Sequence, residues 1–285
     1  MRGIDLHTHS DCSDGTFTVR ELIDLANEKN LAAIALTDHD TVKGVEEAVT
    51  YAAENYPELE VVPGVEVSTV NEGKDCHIIG LYIDHKDETF IKRLHDLLEV
   101  RTNRNIEICD RLRTIAGFSF TYEDVLNEYP GAVVTRAHFA RYLAEKGMVG
   151  SRQEAFDRYI GDGKPCFVPP YRIDPETGIQ YILDAGGIPI LAHPVLSRMS
   201  DDKLDKFVAR LKDAGLMGIE AIYSTYEARD ERHIKELAYK YDLLISGGSD
   251  FHGVNKPKID LGSGYGKLFI PEDVLDAIKA SRLTD

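Results

Sequence analysis

Apolar and β-branched residues gather in seven short runs along the chain: Gly3 to His7, Leu31 to Thr37, Val61 to Val67, Cys76 to Ile83, Ile188 to Ala192, Met217 to Tyr223 and Leu243 to Ser246. Each has strand length, and polar or glycine-containing turns bound them. Between them lie amphipathic stretches such as Thr18 to Asn30 and Asp202 to Ala214, the first opened by Thr18 with Glu21 three residues on, a capping-box spacing. Helical crossovers of this kind join parallel strands, so the pattern predicts an α/β protein. The third and fourth runs are separated only by STVNEGKD, too short for a crossover and suited to a hairpin turning at Asn71-Glu72-Gly73, which makes that pair antiparallel. Residues 88–175 read as several helices without a strand, and the alternating rhythm resumes only at Thr177. The expected organisation is one barrel-like unit, residues 1–87 and 176–285, interrupted by a helical insertion, residues 88–175, that serves as a substrate-binding cap.

With 285 residues, 43% of them hydrophobic and 29% charged, the chain can bury one large barrel or two domains. It opens MRGIDLHTHSDCSDG, with no apolar stretch behind a basic start, and it has no run of about 18 apolar residues, which points to a cytoplasmic protein without membrane contact. Cys12, Cys76, Cys109 and Cys166 are scattered and read as reduced thiols, Cys12 and Cys76 as bystanders near candidate ligands. The formal charge of −16 argues against stable duplex DNA binding through the whole surface. It is unevenly spread: residues 91–173 hold 13 Lys or Arg against 11 Asp or Glu, a net of +2, leaving −18 for the rest. Bound cations would offset part of that acidity, and the middle segment keeps the basic groups that an anionic substrate needs.

The chemistry collects where strands end. His7 and His9 stand two apart, so a strand points both to one side, and Asp14 follows in the next turn. A lone His-x-His also occurs in structural settings; here it does not stand alone. Thr37-Asp38-His39-Asp40 follows LAAIAL, and one of its two aspartates is expected to orient an imidazole, as metal-bound histidine requires. Glu66 ends an apolar strand where a carboxylate needs a cation, and the hairpin returns His77 beside it. His193 closes the run IPILA, and Asp250 and His252, again two apart, follow a pair of glycines. Five strand ends carrying His, Asp or Glu are the mark of a metal site at the carboxyl end of a barrel.

Taken together, DLHTHSDCSDG, TDHD, PGVE, the His that begins HIIGLY, AHP and GSDFH resemble the PHP (polymerase and histidinol phosphatase) superfamily, in order and spacing from Met1 to about Gly253. The resemblance implies a distorted seven-stranded, TIM-like (β/α)7 barrel, the PHP fold, holding two to three divalent ions. It implies that His7, His9, Glu66 and Asp250 hold one ion, that Glu66 bridges to a second held by His77 and His193, and that Asp14, His39 and His252 form a third set. The mixed imidazole and carboxylate donors suit Mn, Fe or Zn. TRAHFARYL at residues 135–143 and the later GDGKPCFV are similar to the smaller PHP proteins that act on nucleoside 3',5'-bisphosphates or on RNA 5' ends, in which this arginine and histidine, Arg136 and His138, are expected to face the substrate phosphate.

The reaction so implied is hydrolysis of a phosphate ester of a nucleotide or short RNA by water that the cations acidify. Arg136 offers a planar fork for phosphate, and His138 or Asp40 is the candidate to protonate the leaving oxygen. Arg101, Arg104, Lys164 and Arg172 are further groups that could grip a second phosphate, although surface ion pairing explains them equally well. Two alternatives use the same residues: an amidohydrolase, whose bridging carbamylated lysine has no counterpart here beyond Lys74 in the hairpin loop, and a noncatalytic metal-stabilised module.

Overall fold

Each of the seven apolar runs becomes a strand, in a computed structural model that describes residues 2–169 and 173–282. Arg172 lies outside the described residues. The strands are β1 (Ile4–Thr8), β2 (Ala33–Leu36), β3 (Glu60–Asn71), β4 (Lys74–Leu81), β5 (Ile188–Leu191), β6 (Gly218–Tyr223) and β7 (Leu244–Gly248), side by side in chain order in one sheet. The helices are α1 (Val19–Glu28), α2 (Val45–Asn55), α3 (Glu88–Ala116), α4 (Tyr122–Glu128), α5 (Arg136–Glu145), α6 (Arg152–Ala155), α7 (Pro175–Asp184), α8 (Asp201–Asp213), α9 (Ala228–Lys240) and α10 (Glu272–Ser281). Strand β4 runs antiparallel to both neighbours, and the other adjacent pairs are parallel.

The first and last strands meet. The Asp250 amide donates to the His7 carbonyl at 2.8 Å and the His9 amide to the Phe251 carbonyl at 3.0 Å, which brings the sheet nearly closed into a barrel. The approach is so tight that a Cβ on Gly248 would stand 2.2 Å from the Cβ of His7, so only glycine fits there. Ile4, Leu6, Ala33, Val62, Ile79 and Ile190 belong to one buried cluster. Other apolar faces of the strands pack with α7, α8 and α9 on one side and with α1 and α2 on the other.

Local chemistry accounts for the element ends. The Thr18 hydroxyl accepts from the Glu21 amide at 3.3 Å and Glu21 accepts from the Thr18 amide at 2.8 Å, the reciprocal cap that starts α1. The hairpin differs from its sequence expectation. Pairing continues to Asn71 and Lys74, leaving Glu72 and Gly73, at φ 49° and 78°, as a two-residue turn of the twisted kind that suits adjacent strands. Lys74 therefore begins β4 and is not a loop residue. Helix α7 likewise starts two residues ahead of Thr177, because Asp174 caps it by accepting from the Thr177 amide and Pro175 fits the first turn.

Between β4 and β5 the described residues contain helices and no strand. Side chains from Ile108 to Val168 form a hydrophobic cluster of their own. Helix α3, about 44 Å long at 1.5 Å per residue, joins the two parts: Phe90 and Leu94 pack with the barrel, Ile108 and Leu112 with the helical cluster.

Candidate metal centre

In β1 the register slips by one residue between Asp5 and Thr8. Successive residues of a strand face opposite sides, so Leu6 packs in the apolar cluster while its neighbour His7 turns toward the carboxylates. Glu66, on β3 and 1% exposed, is the hub. Its Oε2 lies 3.2 Å from His7 Nε2, His9 Nε2 and His39 Nδ1. Its Oε1 lies 2.8 Å from His77 Nδ1 and 3.0 Å from His193 Nε2. One carboxylate thus divides five imidazoles into two groups, as a bridging ligand does. Asp250 Oδ1 is 3.4 Å from His9 Nε2, and Asp14 Oδ1 is 3.1 Å from His252 Nε2.

All nine candidate ligands converge. Their donor atoms fall into four sets whose members lie within 4.8 Å of one another: His9, Asp14, His39 and His252; His7, Glu66 and His193; His7, His9 and Asp250; His39, Glu66 and His77. The sets are more interwoven than the sequence reading had them. His9 joins Asp14 and His252 as well as Asp250, and His39 faces Glu66 as well as Asp14. Cys12 and Cys76 belong to none of them.

These residues fit a cluster of cations. Among the described residues, His7 Nε2, His9 Nε2, Asp14 Oδ1 and His39 Nδ1 are buried with no hydrogen-bond partner. Buried polar atoms are seldom left so; here their lone pairs share common foci. Burial would raise the carboxyl of Glu66, but His39, His7 and His77 hold it well below its ordinary range; Asp14 is held down in the same way by His252 and His39. Burial pushes His39 down to about 3, leaving its imidazole free to donate an electron pair. Three residues at the strand ends, Asp40, His193 and Asp250, have positive φ (53°, 27° and 57°), a conformation costly outside glycine and common at functional sites.

The groups that aim the ligands were mostly missed from sequence. Glu220, fully buried on β6, accepts from His7 Nδ1 at 3.0 Å and from the His193 amide at 2.8 Å, which fixes the His7 ring with Nε2 toward Glu66. A carboxylate inside the apolar run MGIEAIY is the signal that identified Glu66, and it identifies Glu220 equally. Tyr223 and Lys256 both bond Asp250 Oδ2 at 2.5 Å. Of the two aspartates flanking His39, one of which is expected to orient an imidazole, Asp38 reaches one through an intermediary: it accepts from Ser13 Oγ at 2.5 Å, and that hydroxyl lies 3.5 Å from His9 Nδ1. Asp5 accepts from the amides of Ser249 and Gly262, tying β1 to the end of β7.

The candidate substrate and catalytic residues sit around this centre in different states. Asp40 accepts from the Ser68 amide at 2.7 Å and pairs with Arg101, which projects from the middle of α3. Arg104 is buried, its Nε donated to the Val168 carbonyl within the helical segment. Arg136 is clasped by Asp162 at 2.6 Å and Asp75 at 3.1 Å, with Phe167 beneath its guanidinium. His138 Nδ1 accepts from the Thr135 amide at 3.0 Å, and the Thr135 hydroxyl donates to Asp14 at 3.2 Å, so a candidate ligand is linked to α5. Burial, reinforced by Arg141 and Arg101, pushes His138 down to about 4 despite Asp14. Lys164 is exposed.

The sequence profile of the PHP domain matches residues 5–158. A 5'-3' exoribonuclease of Haemophilus influenzae is 38% identical over 249 residues, 87% of this chain and 89% of that protein. A 3',5'-nucleoside bisphosphate phosphatase of Chromobacterium violaceum is 32% identical over 263 residues, 92% of this chain and 91% of that protein. Among solved structures, an amidohydrolase from Chromobacterium violaceum with bound sulfate and no metal superposes with TM-score 0.85 at 31% identity, covering 98% of this chain and 96% of that one. A Bifidobacterium adolescentis protein, provisionally assigned as a metal-dependent phosphoesterase, gives TM-score 0.85 at 28% identity with the same coverage.

Proposed function

This chain belongs to the PHP domain family, and from that premise we propose that it is a metal-dependent phosphoesterase acting on a nucleotide, either a nucleoside 3',5'-bisphosphate or the 5'-phosphorylated end of a short RNA. The observation that carries the reading is the hub at Glu66, one buried carboxylate facing five imidazoles with unpartnered donor atoms around it. Two to three ions of Mn, Fe or Zn fit the donor set and would supply acidified water and charge neutralisation for the phosphoryl oxygens. A cytoplasmic location, in keeping with four free thiols, belongs to the same reading.

The protein's own groups then divide the work. Glu66, Asp14 and Asp250 supply negative charge for the cations, and Glu220 holds His7 in the tautomer that presents Nε2. Arg136 binds substrate by exchanging a carboxylate, Asp162 or Asp75, for a phosphate that its fork fits equally well. Neutral His138 carries its proton on Nε2, since Nδ1 accepts from Thr135, and donates a hydrogen bond to an oxygen of the substrate phosphate. Asp40 serves by fixing Arg101 beside Ser68. Residues 88–175 act as the substrate-binding cap over the barrel formed by residues 1–87 and 176–285.

The amidohydrolase reading needs a neutral lysine amine for carbamylation. The lysine beside the ligands is Lys256, not Lys74. Burial alone would lower its pKa, but Asp250 raises it above the ordinary lysine range and keeps the ammonium charged. The test is phosphate release from adenosine 3',5'-bisphosphate with Mn²⁺, by the intact protein and by Glu66→Ala and Arg136→Ala. Metal-dependent release that vanishes in the first variant and weakens greatly in the second supports the assignment. No release from this substrate or from 5'-phosphorylated RNA refutes it.

A further inference from the structure

Against the outer face of the β3–β4 hairpin, at the end of the barrel where the ligands gather, lies a cavity of about 470 Å³. The hairpin tip, the loop after β5 and helix α8 enclose it, and Lys74, Arg198, Lys203, Lys206 and Arg210 line it, with Glu72 the one lining carboxylate. All five cations are exposed; Arg210 is held by Glu176 at 2.8 Å and by Asn71, and among the described residues the other four make no ion pair. In a chain of net charge −16, four cations left together without partners are conspicuous. Water and salt screen their mutual repulsion, and a bound polyanion would offset it further.

The cavity is adjacent to the metal centre. Lys74 precedes His77 on β4 by three residues, about 10 Å of strand, and Arg198 follows His193 by five residues at the end of the turn Pro194–Ser197. A chain leaving the metal centre over the barrel rim, between the hairpin tip and this turn, descends into it. Cations on three separate elements, the hairpin, the loop after β5 and α8, do not form the tight fork that grips one phosphate; they suit a succession of phosphates along a flexible strand.

We propose that this cavity holds the backbone of a single-stranded RNA downstream of the 5' end that is hydrolysed. The inference rests on the phosphoesterase reading above, and the experiment separates the two. Binding of a fluorescein-labelled ten-nucleotide RNA is measured by anisotropy without turnover, for the intact protein, for Lys203→Gln with Lys206→Gln, and for Arg198→Gln. The expected result is at least tenfold weaker binding in the double variant, with the slope of log affinity against log salt flattened by about 0.7 for each cation lost. With Mn²⁺ present, KM for 5'-phosphorylated RNA should rise at least tenfold while kcat/KM for adenosine 3',5'-bisphosphate stays within twofold. Unchanged RNA affinity, a parallel fall on both substrates, or inorganic phosphate competing with the same affinity whatever the RNA length overturns the proposal. If neither substrate is turned over yet the variants still lose RNA, the catalytic reading fails and the cavity assignment stands.

Discussion

Replacing Glu220 by glutamine tests whether a residue that touches no substrate sets the affinity for metal. The carboxylate is fully buried and accepts two bonds, from His7 Nδ1 at 3.0 Å and from the His193 amide at 2.8 Å. An amide of the same shape accepts only one of them and turns its NH₂ against the other donor. Leaving one buried N–H unsatisfied and losing the charge assistance costs about 2 kcal/mol. Most of that loss appears where His7 and His193 must hold their rings for a cation, so Mn²⁺ affinity should fall about 30-fold, within the range for lost partners of metal-ligating histidine. Calorimetric titration of metal-free protein with Mn²⁺ measures it, and the metal-induced rise in Tm should shrink in parallel. A Glu220→Gln protein that binds Mn²⁺ within threefold of the intact chain refutes the positioning role.

Arg101→Ala leaves the nearly inaccessible Asp40 without its guanidinium and should cost about 3 kcal/mol; a Tm that falls by about 5 °C, partly restored by Arg101→Lys, is the expected result. His138 has a folded pKa of about 4, below its ordinary value, so the unfolded chain takes the proton first. Stability that is complete above pH 6.5 is therefore lost between pH 6.5 and 4, by on the order of 3 kcal/mol. His138→Asn should remove that part of the acid sensitivity, read as Tm against pH, and an unchanged slope would contradict it. Gly248→Ala forces a methyl to within 2.2 Å of the His7 Cβ and should destabilise the fold by more than about 4 kcal/mol, seen as loss of soluble, cooperatively unfolding protein.

The strands and the converging cluster of histidines and carboxylates were legible for the same reason. Apolar runs four to eight residues long mark strands, and a His, Asp or Glu terminating one of them has few structural uses. Glu220 carried that signal inside MGIEAIY and was passed over because it lies within its strand, with no second ligand type nearby in sequence. Lys256 could not be read: it reaches Asp250 from a loop whose shape depends on the closed barrel. Nor could sequence separate Arg101 from Arg104, three residues apart on one helix. Which one turns to Asp40 and which to the Val168 carbonyl depends on how α3 is shared between two hydrophobic clusters.

The closure of the barrel by its first and last strands has a consequence for the protein's birth. His7 emerges among the earliest residues, but its partners Glu220 and Asp250 are made 213 and 243 positions later. During synthesis the amino-terminal histidines therefore wait, and a nascent chain shorter than about 250 residues has no complete cluster to load. The centre is complete only once the segment carrying Asp250 and His252 has closed against β1. Chelators should slow the final step of the chain's refolding without affecting the earlier ones.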